Sequence, residues 1–272
     1  GRVDDGSDPP IAYHRQGSAA SRMAPDDVDT AWLIGARHLH VTGVFPALSA
    51  STLAATQHAM AVMRAHGRTI SFDPNLRPAL WPDAAHMCTT LNALAAQADW
   101  VLPGLEEGRQ LTGEQTPQGI AEFYKRAGAS HVVVKLGERG AYYLGPEGQG
   151  LVDACAVAHV VDTVGAGDTV GAVLVEAMME APVSALTGER LEYVLDRAVR
   201  AAAITCTRAG CQPPTLADLA YQVTIGRRDH PHIHPDRPSP ADALDLPCLD
   251  RAQELGLRLE RELADLVEEQ GP

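Results

Sequence analysis

Four short apolar runs, each bounded by turn residues, limit what this chain can fold into more than any other feature. They are RHLHVTG (Arg37 to Gly43), RTISFDP (Arg68 to Pro74), DWVLPG (Asp99 to Gly104) and SHVVVKLG (Ser130 to Gly137). Their length and β-branched content predict strands, and intervening stretches such as Thr52 to His66 and Asp83 to Ala98 predict helices. Strand–helix alternation means parallel strands joined by crossover helices, so the expected fold is a layered α/β sheet with functional loops at the strand carboxyl ends. GAYYLG and GLVDACAV predict a hairpin near the far edge, and Glu189 to Arg208 predicts a second long helix.

The stretch VVDTVGAGDTVGAVLVEAMM, Val160 to Met179, adds a chemical expectation. Val160 and Val161 end a β-branched run, Gly165 and Gly167 permit a tight turn, and Val170, Val173, Leu174, Ala177 and Met178 recur at helical spacing. A loop opening a helix exposes unpaired N–H groups and a partial positive charge, and glycine or alanine there lets an anion approach the backbone. Asp168 stands in that anion site. One reading makes it an ordinary first-turn acid favoured by the helix dipole. The other gives it chemistry to do, because a carboxylate there repels a resting phosphate.

Two other phosphate loops are excluded by spacing. No Gly-Lys pair occurs in the chain, which removes a Walker A loop. A dinucleotide fingerprint needs glycine at position 170, where Val170 stands. The net charge of -13 disfavours nucleic acid as a partner, and no apolar run reaches membrane-spanning length. Five scattered cysteines without C-x-x-C pairs fit a reducing cytoplasm.

Asp162, Thr163, Gly165, Ala166, Gly167 and Asp168 resemble the C-terminal signature of the ribokinase (PfkB) family of sugar and nucleoside kinases. The resemblance implies a ribokinase-like fold with a mostly parallel central sheet flanked by helices. It also implies an anion hole at Gly165, Ala166 and Gly167, a catalytic base at Asp168, and ATP with Mg2+.

The DPNLRP segment from Asp73 to Pro78, followed by Trp81, resembles the 2-keto-3-deoxygluconate kinase branch. There the residue matching Arg77 approaches the substrate, and the one matching Asn75 lies near the nucleotide phosphates. Read on its own, the segment is a proline-stiffened turn with a solvated arginine. In IAYHR, strand alternation puts Tyr13 and Arg15 on one face. The family counterpart is a lid strand whose tyrosine and arginine face a sugar acid, and arginine supplies the fork of donors that a carboxylate favours. Without a lid it is an ordinary surface strand.

Glu107 matches the acid of the family's N-x-x-E segment, which organises Mg2+ through water, although Gly104 stands where asparagine is common. Glu106 and Glu107 equally fit first-turn acids. KLGERGAYY resembles the nucleotide-side turn, which assigns Lys135, Gly137 and Gly140, together with Gly165 and Gly167, to ATP. A plain strand–turn–strand needs the same glycines.

The expected activity is phosphoryl transfer from ATP to the terminal hydroxyl of a small sugar acid, with Tyr13, Arg15, Arg77 and Asp168 contacting substrate. The alternatives are a neutral-sugar kinase of the same fold and an inactive binder. The opening GRVDDGSDPP lacks the first strand, the Gly-Gly sugar motif and most of the β lid of that family, so the chain is expected to lack roughly a front third. Residues 1–219 are then the kinase domain with a lid remnant. Residues 220–272 comprise a proline-rich linker and an amphipathic helix with Leu255, Leu259, Leu263 and Leu266 on one face, which packs on the core or in a homo-oligomer. His230, His232 and His234 alternate without a second ligand cluster, so solvation is the expected state.

Overall fold

The computed structural model describes residues 17–157, 159–215 and 218–219. The chain divides into a unit Gly1–Val223 and a unit Thr224–Pro272, and the described residues lie in the first. Tyr13, Arg15, the histidines at 230–234 and the C-terminal leucine face lie outside the described residues.

In chain order the described elements are α1 (Thr30–Gly35), β1 (His38–Thr42), α2 (Ala50–Ala65), β2 (Thr69–Asp73), α3 (Ala84–Ala95), β3 (Trp100–Val101), α4 (Leu105–Thr112) and α5 (Pro117–Ala127). They continue with β4 (His131–Lys135), β5 (Ala141–Gly145), β6 (Gly148–Val152), α6 (Ala166–Glu180) and α7 (Gly188–Cys206). The six strands form one sheet in sequential order. β1 to β4 run parallel, and β5 and β6 complete it as an antiparallel hairpin.

Local chemistry sets the helix starts. Ser49, Asp83 and Thr116 accept a backbone N–H from three residues ahead at α2, α3 and α5, which satisfies one orphan donor in each first turn. α6 begins on Gly165 and has no side-chain cap.

Strand alternation sorts the core into two layers. Ile70, Phe72, Val101, Val132, Val134 and Tyr142 face residues of α2 to α5, including Met60, Leu91 and Tyr124. Trp100, Leu102, Val133, Ala141 and Tyr143 face the other way, against Leu174, Leu191, Leu195 and Ala198 of α6 and α7. Sequential parallel strands with right-handed crossovers place their helices on one face, which leaves the opposite face of the sheet for α6 and α7. Where that second face reaches β1 and β2 its residues turn polar: His38, His40, Thr69, Ser71 and Asp73. This polar end fronts the start of α6.

The four expected parallel strands and the four expected helices, α2, α3, α6 and α7, form, with three differences. β3 holds only two residues, because Pro103 has no N–H to extend the ladder. The hairpin ends at Val152, so the rest of GLVDACAV is not strand. Val160 and Val161 lie in a loop, where the Val161 N–H donates to the Cys206 carbonyl at 2.8 Å. Their β-branched character is outweighed by this tie to the end of α7.

His131, 1% exposed, stacks on Trp100 with ring centroids 4.0 Å apart and donates from Nε2 to the Leu186 carbonyl at 3.0 Å. Burial pushes its pKa down to about 4, against the opposing pull of that carbonyl. A histidine whose folded pKa lies below its unfolded value contributes stability that is whole above the unfolded pKa and is lost as pH falls through the window from 6.5 to about 4. Roughly 3 kcal/mol is at stake for this residue. The melting temperature is expected to fall between pH 7 and pH 4.5, and His131→Phe to flatten that slope. An unchanged slope in the variant refutes the assignment.

Candidate active site

The loop Asp162–Gly165 is built by its own polar groups. Asp162 accepts the Val164 N–H at 3.0 Å through Oδ1 and the Gly210 N–H at 3.0 Å through Oδ2, which ties the loop to the segment after α7. Gly165 is left-handed at φ 80, and a Cβ there would fall 2.1 Å from Cys211 Sγ, so glycine is required on both counts. Thr169 donates its hydroxyl to the Gly165 carbonyl at 2.8 Å and meets Thr205 of α7 at 3.0 Å.

Within the expected anion hole, the Ala166 N–H already donates to the Thr163 carbonyl at 3.2 Å. This corrects the expectation for Ala166: the turn that presents the site uses its donor. The amides of Gly167 and Asp168 have no partner among the described residues and lie on the first turn of α6, where the helix dipole favours an anion. Asp168 is exposed on the same turn.

Lys135 enters this site from the end of β4. A Cβ built on Gly167 would lie 3.4 Å from Lys135 Nζ, so the ammonium sits directly beneath the first turn of α6. Its Nζ pairs with Asp73 Oδ2 at 2.6 Å. Burial pushes the Asp73 carboxyl up, opposed by the Lys135 charge and hydrogen bond; Glu107 adds to the rise and His40 opposes it.

Behind Asp73 runs a polar ladder. His40 Nδ1 is 2.7 Å from Ser71 Oγ, Ser71 Oγ is 2.8 Å from His38 Nε2, and His38 Nδ1 is 2.7 Å from Thr69 Oγ1. Burial pushes His38 down to about 4 and lowers His40 as well; Asp73 and Asp168 act on His40 in the opposite sense. The two imidazoles are therefore neutral packing and hydrogen-bonding groups near pH 7.

The DPNLRP segment leaves β2 through a backbone held at both ends. Asn75 is left-handed at φ 40, a conformation asparagine tolerates better than most residues, and its N–H donates to Asp73 Oδ1 at 3.2 Å. The Leu76 N–H donates to Glu107 Oε1 at 2.8 Å, while Glu107 Oε2 accepts the Gly104 N–H at 2.8 Å. Glu107 thus caps α4 and ties it to the DPNLRP loop. Arg77 donates from Nη1 to the Leu76 carbonyl at 2.7 Å, and its buried Nε has no partner among the described residues. Gly137 and Gly140, both at positive φ, shape the turn from β4 into β5.

The structure therefore brings Asn75, Arg77, Lys135, Gly165, Gly167 and Asp168 to one edge of the sheet, with Glu107 behind the Asn75 loop. Sequence reasoning missed Asp73, Ser71 and His40. Asp73 stands inside the DPNLRP segment, and its place at the end of a strand was the available signal. The spacing of Ser71 and His40 shows nothing until β1 and β2 pair. Among the described residues no group of three or more His, Cys, Asp or Glu side chains is placed to hold a metal.

Comparison with known proteins identifies the class this fold and site define. Residues 3–218 match the pfkB family carbohydrate kinase domain, so the chain belongs to that family. It is 52% identical over 167 residues to a 2-dehydro-3-deoxygluconokinase of Bacillus subtilis (strain 168), covering 61% of this chain and 51% of that protein. A 2-dehydro-3-deoxygluconokinase of Thermoproteus tenax is 37% identical over 195 residues, 71% of this chain and 56% of that protein. Fructokinase-1 of Oryza sativa subsp. japonica is 32% identical over 164 residues, 59% of this chain and 50% of that protein.

Among solved structures, a PfkB protein from Polaromonas sp. JS666 superposes with a TM-score of 0.70 at 48% identity, covering 81% of this chain and 68% of that one. A putative Ribokinase II from E. coli in complex with ATP and Mg2+ superposes with a TM-score of 0.64 at 26% identity, covering 75% of this chain and 63% of that one. The fold is ribokinase-like. The chain spans about half the length of the curated relatives it matches. No helix of the described residues is long and apolar enough to cross a membrane.

Proposed function

We propose that this chain carries the nucleotide and phosphoryl-transfer half of an ATP-dependent sugar kinase acting on the terminal hydroxyl of a small sugar acid, most consistent with 2-keto-3-deoxygluconate. The observation that carries the reading is the convergence of the exposed Asp168 carboxylate, the unpaired amides of Gly167 and Asp168, and the Lys135 ammonium at the start of α6. The similarity to two 2-dehydro-3-deoxygluconokinases supports the substrate class. Residues 1–219 form the kinase domain in this reading.

ATP supplies the phosphoryl group, and Mg2+ offsets charge on its phosphates. The chain's residues do the rest. Asp168 accepts the proton of the attacking hydroxyl as the new O–P bond forms and the bond to the leaving ADP oxygen breaks. The amides of Gly167 and Asp168 and the Lys135 ammonium stabilise charge on the transferring group. Both Glu107 oxygens already hold backbone amides, and each retains a lone pair through which a water on Mg2+ can be bound. Arg77, with donors to spare beyond its Leu76 contact, is the group assigned to the substrate carboxylate in this reading; Tyr13 and Arg15, the other substrate contacts it assigns, lie outside the described residues.

The test is a substrate panel of 2-keto-3-deoxygluconate, gluconate, fructose and ribose, measured in this chain and in a version extended to the length of its relatives. Arg77→Ala is expected to lower kcat/KM for the keto-deoxy acid about 10–100-fold, the range of a lost charge-assisted hydrogen bond, and to change fructose turnover little. Equal losses on acid and neutral sugars would favour the fructokinase-like reading, which the similarity to a rice fructokinase supports.

A further inference from the structure

We propose that Asp73 is a positioning residue for phosphoryl transfer: its buried carboxylate fixes the Lys135 ammonium beneath Gly167 and, with its other oxygen, fixes the Asn75 turn, so that one side chain aligns both nucleotide-side elements. The inference rests on the phosphoryl-transfer reading above and adds a residue to which that reading gives no role.

Asp73 ends β2 and Lys135 ends β4, two strands about 10 Å apart with β3 between them. β3 ends at Val101, and the chain continues between its neighbours: the Leu102 N–H donates to the Phe72 carbonyl at 2.9 Å, the Lys135 N–H donates to the Pro103 carbonyl at 2.8 Å, and Gly104 bridges Lys135. The long Lys135 side chain reaches across this intervening segment to Asp73 Oδ2 at 2.6 Å.

Both partners are enclosed. The Asp73 side chain is 5% exposed and that of Lys135 is 16% exposed. An enclosed ammonium needs an acceptor to offset its lost hydration. Asp73 supplies that partner, and its own cost of burial is offset by Lys135 and by the Asn75 N–H at 3.2 Å. His40 and Glu107 are the other titratable groups that act on Asp73.

The ammonium has three N–H donors, and Asp73 takes one of them. Lys135 Nζ lies 3.4 Å from where a Gly167 Cβ would stand, which sets its remaining donors beside the first turn of α6. Donors converging from a helix start and an anchored cation suit the oxygens of a polyphosphate chain. Asp73 is therefore a carboxylate that serves anion binding without facing the anion. That resolves why an acid should stand in a phosphate-seeking edge at all.

The experiment measures calorimetric binding of inorganic tripolyphosphate, a probe with neither nucleoside nor sugar, to the 272-residue chain and to Asp73→Asn, Lys135→Met and the double variant. Wild type is expected to bind. Asp73→Asn should weaken binding about tenfold or more, and that effect should vanish in the Lys135→Met background, because Asp73 acts through Lys135. Loss of the same factor in both backgrounds, unchanged binding in Asp73→Asn, or a wild type that does not bind tripolyphosphate overturns the proposal.

A measurement on wild type covers the case in which Asp73→Asn does not fold. The Lys135 side-chain ammonium signal in nitrogen-15 NMR should exchange protons slowly and shift on adding tripolyphosphate. A rapidly exchanging signal, or one that does not shift, overturns the proposal. Failure of the sugar-acid reading is separate, because it shows in the substrate panel; a chain with the expected tripolyphosphate cycle that prefers fructose supports Asp73 and sinks the sugar acid.

Discussion

Asp168→Asn is expected to lower kcat about a thousandfold, within the range that general-base catalysis supplies, while leaving ATP affinity within a few-fold of wild type. The amide keeps the shape of the carboxylate and removes only its basic oxygen. Asp168 is exposed on the first turn of α6, so the substitution leaves no buried group without a partner. The Gly167 and Asp168 amides and Lys135, which hold the phosphates in this reading, are untouched. Steady-state kinetics paired with direct nucleotide binding checks both halves of the expectation. Retention of most of the turnover removes Asp168 from the base role, and a parallel loss of nucleotide affinity reassigns it to binding.

The second large effect is on stability. Gly140 has φ 85 and ψ -129, a region that residues with a Cβ avoid, and a Cβ there would lie 2.0 Å from the Val152 carbonyl oxygen and 2.7 Å from the Ala154 N. Both atoms are backbone, so neither can move without displacing the end of β6. The Leu136 N–H donates to the Gly140 carbonyl at 2.8 Å, which couples the clash to the turn leaving β4. Gly140→Ala is expected to cost about 3 kcal/mol or more and to lower the melting temperature by roughly 6–12 °C. Gly137→Ala, three residues earlier in the same turn but in open space at φ 61, bears only the left-handed penalty of about 1–2 kcal/mol. Thermal melts of the two variants side by side check the contrast, and equal losses refute it. Because Lys135 precedes this turn directly, Gly140→Ala should also weaken tripolyphosphate binding.

Local pattern made much of the fold legible. β-Branched runs and helical spacing are properties of neighbouring residues, so the four parallel strands, the hairpin, α2, α3, α6 and α7 could be placed before any tertiary contact was known. Elements with weak local signals were harder. α1 spans six residues, and α5 has its apolar positions Ile120, Ala121 and Tyr124 interleaved with charge. The loop at Gly165 to Asp168 was legible because its requirements are local as well: positive φ, small side chains, and an acid on a first turn.

What the sequence by itself determined is therefore the order of elements, the glycine-rich loop that opens α6 and the turn segments DPNLRP and KLGERG that leave β2 and β4. Tertiary structure decided which of their atoms act together. Asp73 meets Lys135 across 62 positions of sequence, and Glu107 meets Leu76 across 31. Neither pair has a spacing signature, since each depends on which elements folding brings together. Tertiary structure also decided that the Ala166 amide closes the turn while those of Gly167 and Asp168 stay open. A hydrogen-bond donor's availability depends on every acceptor that folding brings within about 3 Å, and that is set by the packed chain rather than by the residue's own type.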